Sequence, residues 1–501
     1  MINYTPQSQL SLELFKHPFE TQLDKHNRWV VLADLIPWDE LAKVYCQKLD
    51  STSGRKSVDV RTVIAALIVK HKLRLDDRGT IEMISENLYL QYFCGLNEFS
   101  IHPVFDPSLF VDIRKRMGGK EFDAFNRVVI DFAEKKRPHQ ARIKTKKKDD
   151  SAPPKNKGTL KVDATVADQE ITFPTDMKLL NECRENLERL IDLLYVAATD
   201  GIKPRTYRRK ARKEYLGMAK KKNKSRKVIR KGVKQQLQYV RRDLKIIDKL
   251  LESTDNRILR FSNRDQKLLQ TIKKVFEQQK FMYDNKTHKC QQRIVNLYQP
   301  HVRPIVRGKD KAKTEFGSKI NISEVDGFCR IDHFSWEAFN ESTDVKLQVE
   351  NFRSLYGRYP LYFLGDGIYL TRENRQYLKE KQIKIVGKPL GRPPKQKPLT
   401  ASQKRYKRKK GAERNHVEAK FGQAKRGYGM NNIKARLEAT SESWVNAIFF
   451  VINLTRLIKL VQNQPKQSLF FIFLPVTSEL KKLYFILVKY NMSKQLSFQM
   501  S

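Results

Sequence analysis

The stretch LKVDATVA, residues Leu160–Ala167, decides the fold. Leu160, Val162, Ala164 and Val166 alternate with Lys161, Asp163 and Thr165, the period of a strand with one apolar face. An acid inside such a strand is costly to bury unless it is paired or bound to metal, so Asp163 is a candidate ligand as well as a candidate edge-strand acid. Further strands are expected at Phe316–Ser323, Gly327–Phe334, Leu361–Leu364 and Ile383–Val386. Helices are expected over Asp344–Tyr356, Arg372–Lys381, about Ala412–Arg426 and Glu438–Leu460, with a basic Pro/Gly loop through Lys410. This order describes a mixed α/β unit over 160–464.

Inside that unit, residues 176–282 read as a helical insertion. Val233, Leu237, Val240, Leu244, Ile247 and Leu251 keep a 4-3-4-3-4 spacing, which suits a helical hairpin core better than a dimer seam. Before the sheet, residues 1–133 read as an all-helical domain. Val60, Val63, Ile64, Leu67 and Ile68 form one periodic run, Asp76–Gly79 breaks it, and Ile81, Ile84, Leu88 and Tyr92 form a second. A helix-turn-helix and a plain bundle fit this pattern equally. Asp106-Pro107 starts another helix and Gly118-Gly119 ends it. Residues 134–159 are a basic, proline-containing linker, and 465–501 match no recognisable unit.

The chain has 501 residues, with 99 Lys plus Arg against 55 Asp plus Glu, a formal net charge of +44. A field of that strength points to a polyanion, and nucleic acid is the commonest. Between Lys203 and Lys234 there are 16 basic residues and one acid, which suits contact with a DNA backbone through Arg208, Arg209, Lys210, Lys220, Lys221 and Lys222. The five cysteines are scattered singly, which excludes a disulfide scaffold and a Cys-rich zinc module. Ser443–Thr455, the longest run without a charge, is too short to span a bilayer, and the first twenty residues lack an apolar signal core. A soluble chain in a reducing compartment, with no membrane partner, is expected. No phosphate-binding G-x-x-x-x-G-K-[ST] loop is present.

Two more acids stand out. Asp366 follows an apolar strand, at the carboxyl end where open α/β sheets bind ligands, although a turn cap explains it equally. Glu418 lies four residues after Arg414 and seven before Lys425, so one helix face would carry a carboxylate between two cations. Such a set is ordinarily a surface salt bridge; here it also offers a metal ligand with phosphate clamps, Glu413 being the nearest substitute acid. His333 and His416 lack a ligand partner at zinc spacing, and Gly391-Arg392-Pro393 reads as a flexible loop.

Asp163-Ala164-Thr165, Asp366-Gly367-Ile368-Tyr369 and Arg414-(3)-Glu418-(6)-Lys425 together resemble the signature of bacterial insertion-sequence DDE transposases. Residues 20–133 are similar to the helical domain that precedes many such cores. The resemblance implies an RNase H-like catalytic core. It implies Mg²⁺, with Mn²⁺ as the alternative, held by Asp163, Asp366 and Glu418. It also implies phosphate contacts from Arg414 and Lys425 and support of the first strand by Thr165. The partners would be double-stranded DNA at element ends and target, and a second copy in a dimer or larger assembly, in a prokaryotic cytoplasm at the nucleoid. Two departures stand: Gly411 replaces the tyrosine expected three positions before Arg414, and the glycine of the second motif directly follows Asp366. The rival readings are a nuclease of the same fold that does not join DNA, and a non-catalytic DNA-binding remnant.

Overall fold

The computed structural model describes residues 2–6, 22–49, 56–136, 155–195, 200–252, 261–306, 314–387 and 400–462. Most of the expected linker, the Gly391–Pro393 loop and the segment from 465 onward lie outside the described residues.

The amino-terminal part is a bundle of α1 (Arg28–Leu35), α2 (Trp38–Cys46), α3 (Val60–Leu73), α4 (Asp77–Glu86), α5 (Leu88–Phe93), α6 (Leu109–Arg116) and α7 (Gly119–Lys136). Side-chain oxygens set its boundaries. Asp59 accepts from the Arg61 and Thr62 amides to begin α3, and Asp76 accepts from Gly79 N to begin α4. Asp76 is thus the cap of the second helix. The break lies earlier, at Arg74, whose φ of 60° closes α3 in the left-handed region. The second periodic run is two helices, because Asn87 ends α4 and caps α5. Every residue of α3 from Val60 to His71 is buried, so this helix runs through the middle of the bundle.

The sheet contains β1 (Thr159–Asp168), β2 (Arg303–Val306), β3 (Thr314–Val325), β4 (Phe328–Ser335), β5 (Tyr362–Leu364) and β6 (Lys384–Ile385). Its order is β2-β3-β1-β5-β6, with β4 also paired to β3. β1, β3 and β4 are antiparallel to their neighbours in this group, whereas β1, β5 and β6 run parallel. This mixed sheet agrees with the expected α/β class and is consistent with an RNase H-like core. The β3–β4 turn needs positive φ at both central residues, Asp326 at 51° and Gly327 at 94°.

Between β1 and β2, α8 (Asp176–Leu194), α9 (Arg208–Ala219), α10 (Arg226–Glu252) and α11 (Asn263–Asp284) form a unit with its own apolar core. Val233, Leu237, Val240, Leu244, Ile247 and Leu250 of α10 face Leu180, Leu187 and Leu190 of α8. The seam is therefore satisfied within one chain. At its end Leu250 is buried and the expected Leu251 packs partly buried against the same core, because 3.6 residues per turn drifts away from a strict heptad.

After β4 come α12 (Val345–Tyr356), α13 (Arg372–Glu380), α14 (Ala401–Ala412), α15 (Asn415–Gly422) and α16 (Glu438–Gln462). Two segments differ from expectation. Residues 401–412, read as the end of a loop, form α14, which opens on a capping box between Thr400 and Gln403. The single helix expected over 412–426 breaks between Ala412 and Asn415 and ends in a π-turn at Gln423–Gly427.

Helix α16 is apolar nearly all round because it is packed nearly all round. Phe450 meets Phe125 at 5.1 Å, and Trp444 lies under the Lys70 ammonium at 4.4 Å. Among the described residues it is the helix long and apolar enough to cross a membrane, and 67% of its most apolar window is buried. One core joins the amino-terminal helices, the adjoining face of the sheet and α16.

Candidate active site

β1 lies between β3 and β5, and Asp163 on it pairs with Ile322 of β3, two residues beyond the last rung with β5. Its side chain is 18% exposed, and Oδ1 accepts from Ala164 N at 2.9 Å. Burial pushes this carboxyl up to about 6; the Ala164 amide and Arg414 oppose that rise, and the charges of Glu341 and Glu418 reinforce it. Two residues earlier, Lys161 and Glu324 form a buried ion pair of 2.7 Å across β1 and β3. Thr165 is buried, as a residue supporting the strand must be.

Asp366 follows the end of β5. The last paired rung is Lys161 with Leu364, so two further residues on each strand bring the chain to Asp163 and Asp366. Asp163 and Asp366 thus each lie two residues beyond the last β1–β5 rung, Asp163 within β1 and Asp366 past the end of β5. Gly365 allows the approach, since a Cβ there would lie 3.0 Å from Val162 Cγ2. Asp366 is exposed and caps the turn Gly367–Tyr369, accepting from Gly367 N at 2.9 Å.

Glu418 approaches from α15. Arg414 stands at the start of that helix, where its Nη2 lies 2.9 Å from Glu418 and its Nη1 4.0 Å from Asp163. The guanidinium therefore bridges the strand acid and the helix acid. Lys425 takes another position. The π-turn replaces the regular helix expected there, and Lys425 Nζ sits 3.4 Å from Asp168 and 3.5 Å from Glu315. Asp168 is five residues along β1 from Asp163. Glu413, the substitute acid, pairs with Lys410 at 2.9 Å. Among the described residues, nothing lies within 4 Å of a Cβ built at Gly411.

The sequence reading missed a polar layer beneath this site. Glu341 lies in the turn Glu341–Asp344, held by Lys319 at 2.9 Å, and its charge is felt by both Asp163 and Tyr369. His333, read as an ordinary polar position, is 3.0 Å from Asp344 and stacks on Phe339. The signal was present in Asn340–Asp344, whose Asn340 side chain caps the turn, but no periodicity marks such a segment. His416 sits apart from the acids, facing a cavity that Lys161, Lys420, Arg456 and Lys459 also line.

The donor set suits a hard divalent cation, since it is all carboxylate and includes the largely buried Asp163. Among the described residues no three such side chains stand close enough to hold one ion, and Arg414 lies between Asp163 and Glu418. Of the expected backbone-binding residues, Arg209, Lys210, Lys220, Lys221 and Lys222 are exposed on α9 and the turn after it. Arg208 is instead engaged by Asp192 through two bonds of 2.9 Å.

Comparison with known proteins agrees with this arrangement. Residues 363–455 match the family described as Transposase DDE domain, a segment that contains Asp366, Arg414 and Glu418 but not Asp163. Residues 17–116 match the family described as Transposase domain (DUF772). The chain is also similar to an uncharacterized protein, ORF8 in the nfe locus of Rhizobium meliloti, at 26% identity over 177 residues, 35% of this chain and 79% of that one. No solved structure matches the chain. One transposase family matched across the amino-terminal helices and a transposase DDE domain matched toward the carboxyl-terminal end of the sheet unit together support an insertion-sequence DDE transposase.

Proposed function

We propose that this transposase cuts DNA at the ends of its element and joins the freed 3′ ends to target DNA, with Asp163, Asp366 and Glu418 as the metal-holding carboxylates. One observation carries the reading: Asp163 and Asp366 each stand two residues beyond the last rung of the parallel β1–β5 pair, and Glu418, on a helix, is linked to Asp163 through Arg414. Bound Mg²⁺ or Mn²⁺ would supply activation of the attacking oxygen and charge stabilisation at the leaving one. The chain's own residues do the rest. Arg414 holds the acids together when no DNA is bound and turns to a backbone phosphate when DNA enters, so its charge passes from carboxylate to substrate. Thr165 and the Lys161–Glu324 pair fix β1, and with it the direction of Asp163. Lys425 serves phosphate only by leaving Asp168 and Glu315.

The organisation follows the chain: residues 1–133 and the basic face of the insertion hold DNA, and 160–464 carry the chemistry. The protein works at the nucleoid as a dimer or larger assembly. A supercoiled-plasmid assay with labelled element ends tests the reading. Metal-dependent nicks at the ends, followed by label joined to target DNA, support it. Cleavage without joined product leaves a nuclease.

A further inference from the structure

Behind Asp366 runs a buried chain of hydrogen bonds. Tyr369, the last residue of the turn that Asp366 caps, donates its hydroxyl to Asn321 Oδ1 at 2.8 Å. Asn321 Nδ2 donates to Asp344 Oδ2 at 2.8 Å, and His333 Nδ1 lies 3.0 Å from Asp344. A second clamp joins the same two turns: Asn374 Nδ2 donates to Ser342 O at 2.7 Å and to Tyr369 O at 2.8 Å. Tyr369 and Asn321 are fully buried, and Asp344 and Asn374 nearly so.

We propose that Asn321 is a positioning residue for the reaction: gripping Tyr369 with its oxygen and Asp344 with its nitrogen, it fixes the turn that Asp366 caps. Asparagine suits this place because one short side chain must accept from a phenol and donate to a carboxylate at once. Aspartate would set two carboxylates against each other, and leucine would take a buried hydrogen bond from each partner. Asn321 lies on β3, next to β1, where it pairs with Ala164, the residue after Asp163. One strand therefore registers both acids, Asp163 through the ladder and Asp366 through Tyr369. Hydrogen bonds behind metal ligands commonly set metal affinity by tenfold or more.

The inference rests on the reading of Asp366 as a metal-holding carboxylate, and the test separates the two. Mn²⁺ binding to the full chain is followed by loss of the free-ion electron paramagnetic resonance signal, without DNA or turnover. Asp366→Asn should abolish the tighter binding. Asn321→Leu and Tyr369→Phe should each weaken it by about tenfold. Asn453→Leu, which removes an equally buried asparagine bonded to Asn126 and to Cys329 O, should leave it unchanged. Tyr369→Phe keeps the ring and decides the matter if the leucine variant does not fold. Wild-type Mn²⁺ affinity in Tyr369→Phe and in any folded Asn321→Leu, with binding lost in Asp366→Asn, would overturn the positioning role alone. Equal weakening in Asn453→Leu would overturn it too, by showing a general loss of stability. Undiminished binding in Asp366→Asn would remove the metal reading and this inference together.

Discussion

Arg414 Nη2 lies 2.9 Å from Glu418 Oε1, one helical turn away on α15. The Glu418 side chain is 50% exposed, so the pair contributes at most a few tenths of a kcal/mol to stability after solvent screening (about 0.2–1 for exposed pairs). Glu418→Gln should therefore leave the melting temperature and DNA binding nearly unchanged, while cleavage per bound complex falls by about 100-fold or more, as loss of a metal ligand requires. Loss of DNA binding with cleavage preserved would reduce Glu418 to a surface salt bridge.

The β1–β3 ladder leaves no room at Gly317, which pairs with Asp168. A Cβ there would lie 1.9 Å from the Ala167 carbonyl oxygen, a backbone atom that cannot rotate away. Gly317→Ala should destabilise the chain by about 2–3 kcal/mol, the upper range for forced overpacking, and shift the denaturant midpoint accordingly. The matching substitution at Gly357, where nothing lies within 4 Å, meets only the cost of its φ of 66° and should be milder.

Asp243 is buried in the insertion, and neither carboxylate oxygen has a hydrogen-bond partner among the described residues. Burial, reinforced by Glu188, raises its carboxyl to about 8 against the opposing charges of Arg184, Arg242 and Arg208. A raised native value means that the folded state holds this proton more tightly than the unfolded chain does. Stability is therefore fully present below about pH 4, declines as pH climbs toward 8, and is flat above. Asp243→Asn should gain stability across that window, by several kcal/mol at most, with the largest gain at pH 9. Denaturant midpoints at pH 5 and pH 9 check it; a gain that is the same at both would show that Asp243 does not titrate as described.

The sheet was legible because strand alternation is a local property of the chain, and motif spacing, equally local, is what singles out the three acids as candidates. The strand around Asp163 and the helices at 345–356, 372–380 and 438–462 fall within one or two residues of expectation. What was hidden depends on backbone events that side-chain periodicity does not record. The break before Asn415 and the π-turn after Gly422 put Arg414 between two carboxylates and carry Lys425 to Asp168. The Tyr369–Asn321–Asp344 chain joins residues 48 and 23 positions apart, which only the folded sheet brings together. Likewise α3 and α16 share one core although nearly the whole chain separates them.

The basic run of the insertion divides into two kinds of residue, and salt dependence should tell them apart. Lys220, Lys221 and Lys222 are exposed in the turn after α9. Arg208 and Lys203 already share Asp192, at 2.9 and 2.8 Å. A cation contributes to the salt slope only if it releases counterions on meeting phosphate, and one already paired with a carboxylate has fewer to release. Replacing Lys220, Lys221 and Lys222 by glutamine should flatten the slope of log K against log salt by about 0.9 for each phosphate that is no longer neutralised. Preference among DNA sequences should hardly move, since phosphate-binding side chains position the protein without reading bases. Arg208→Gln should change the slope much less and instead release Asp192 on α8. Binding isotherms between low and physiological salt measure both variants. Equal slopes for wild type and the triple variant would make this run a solvated face, and the DNA grip would then belong to other basic surfaces of the chain.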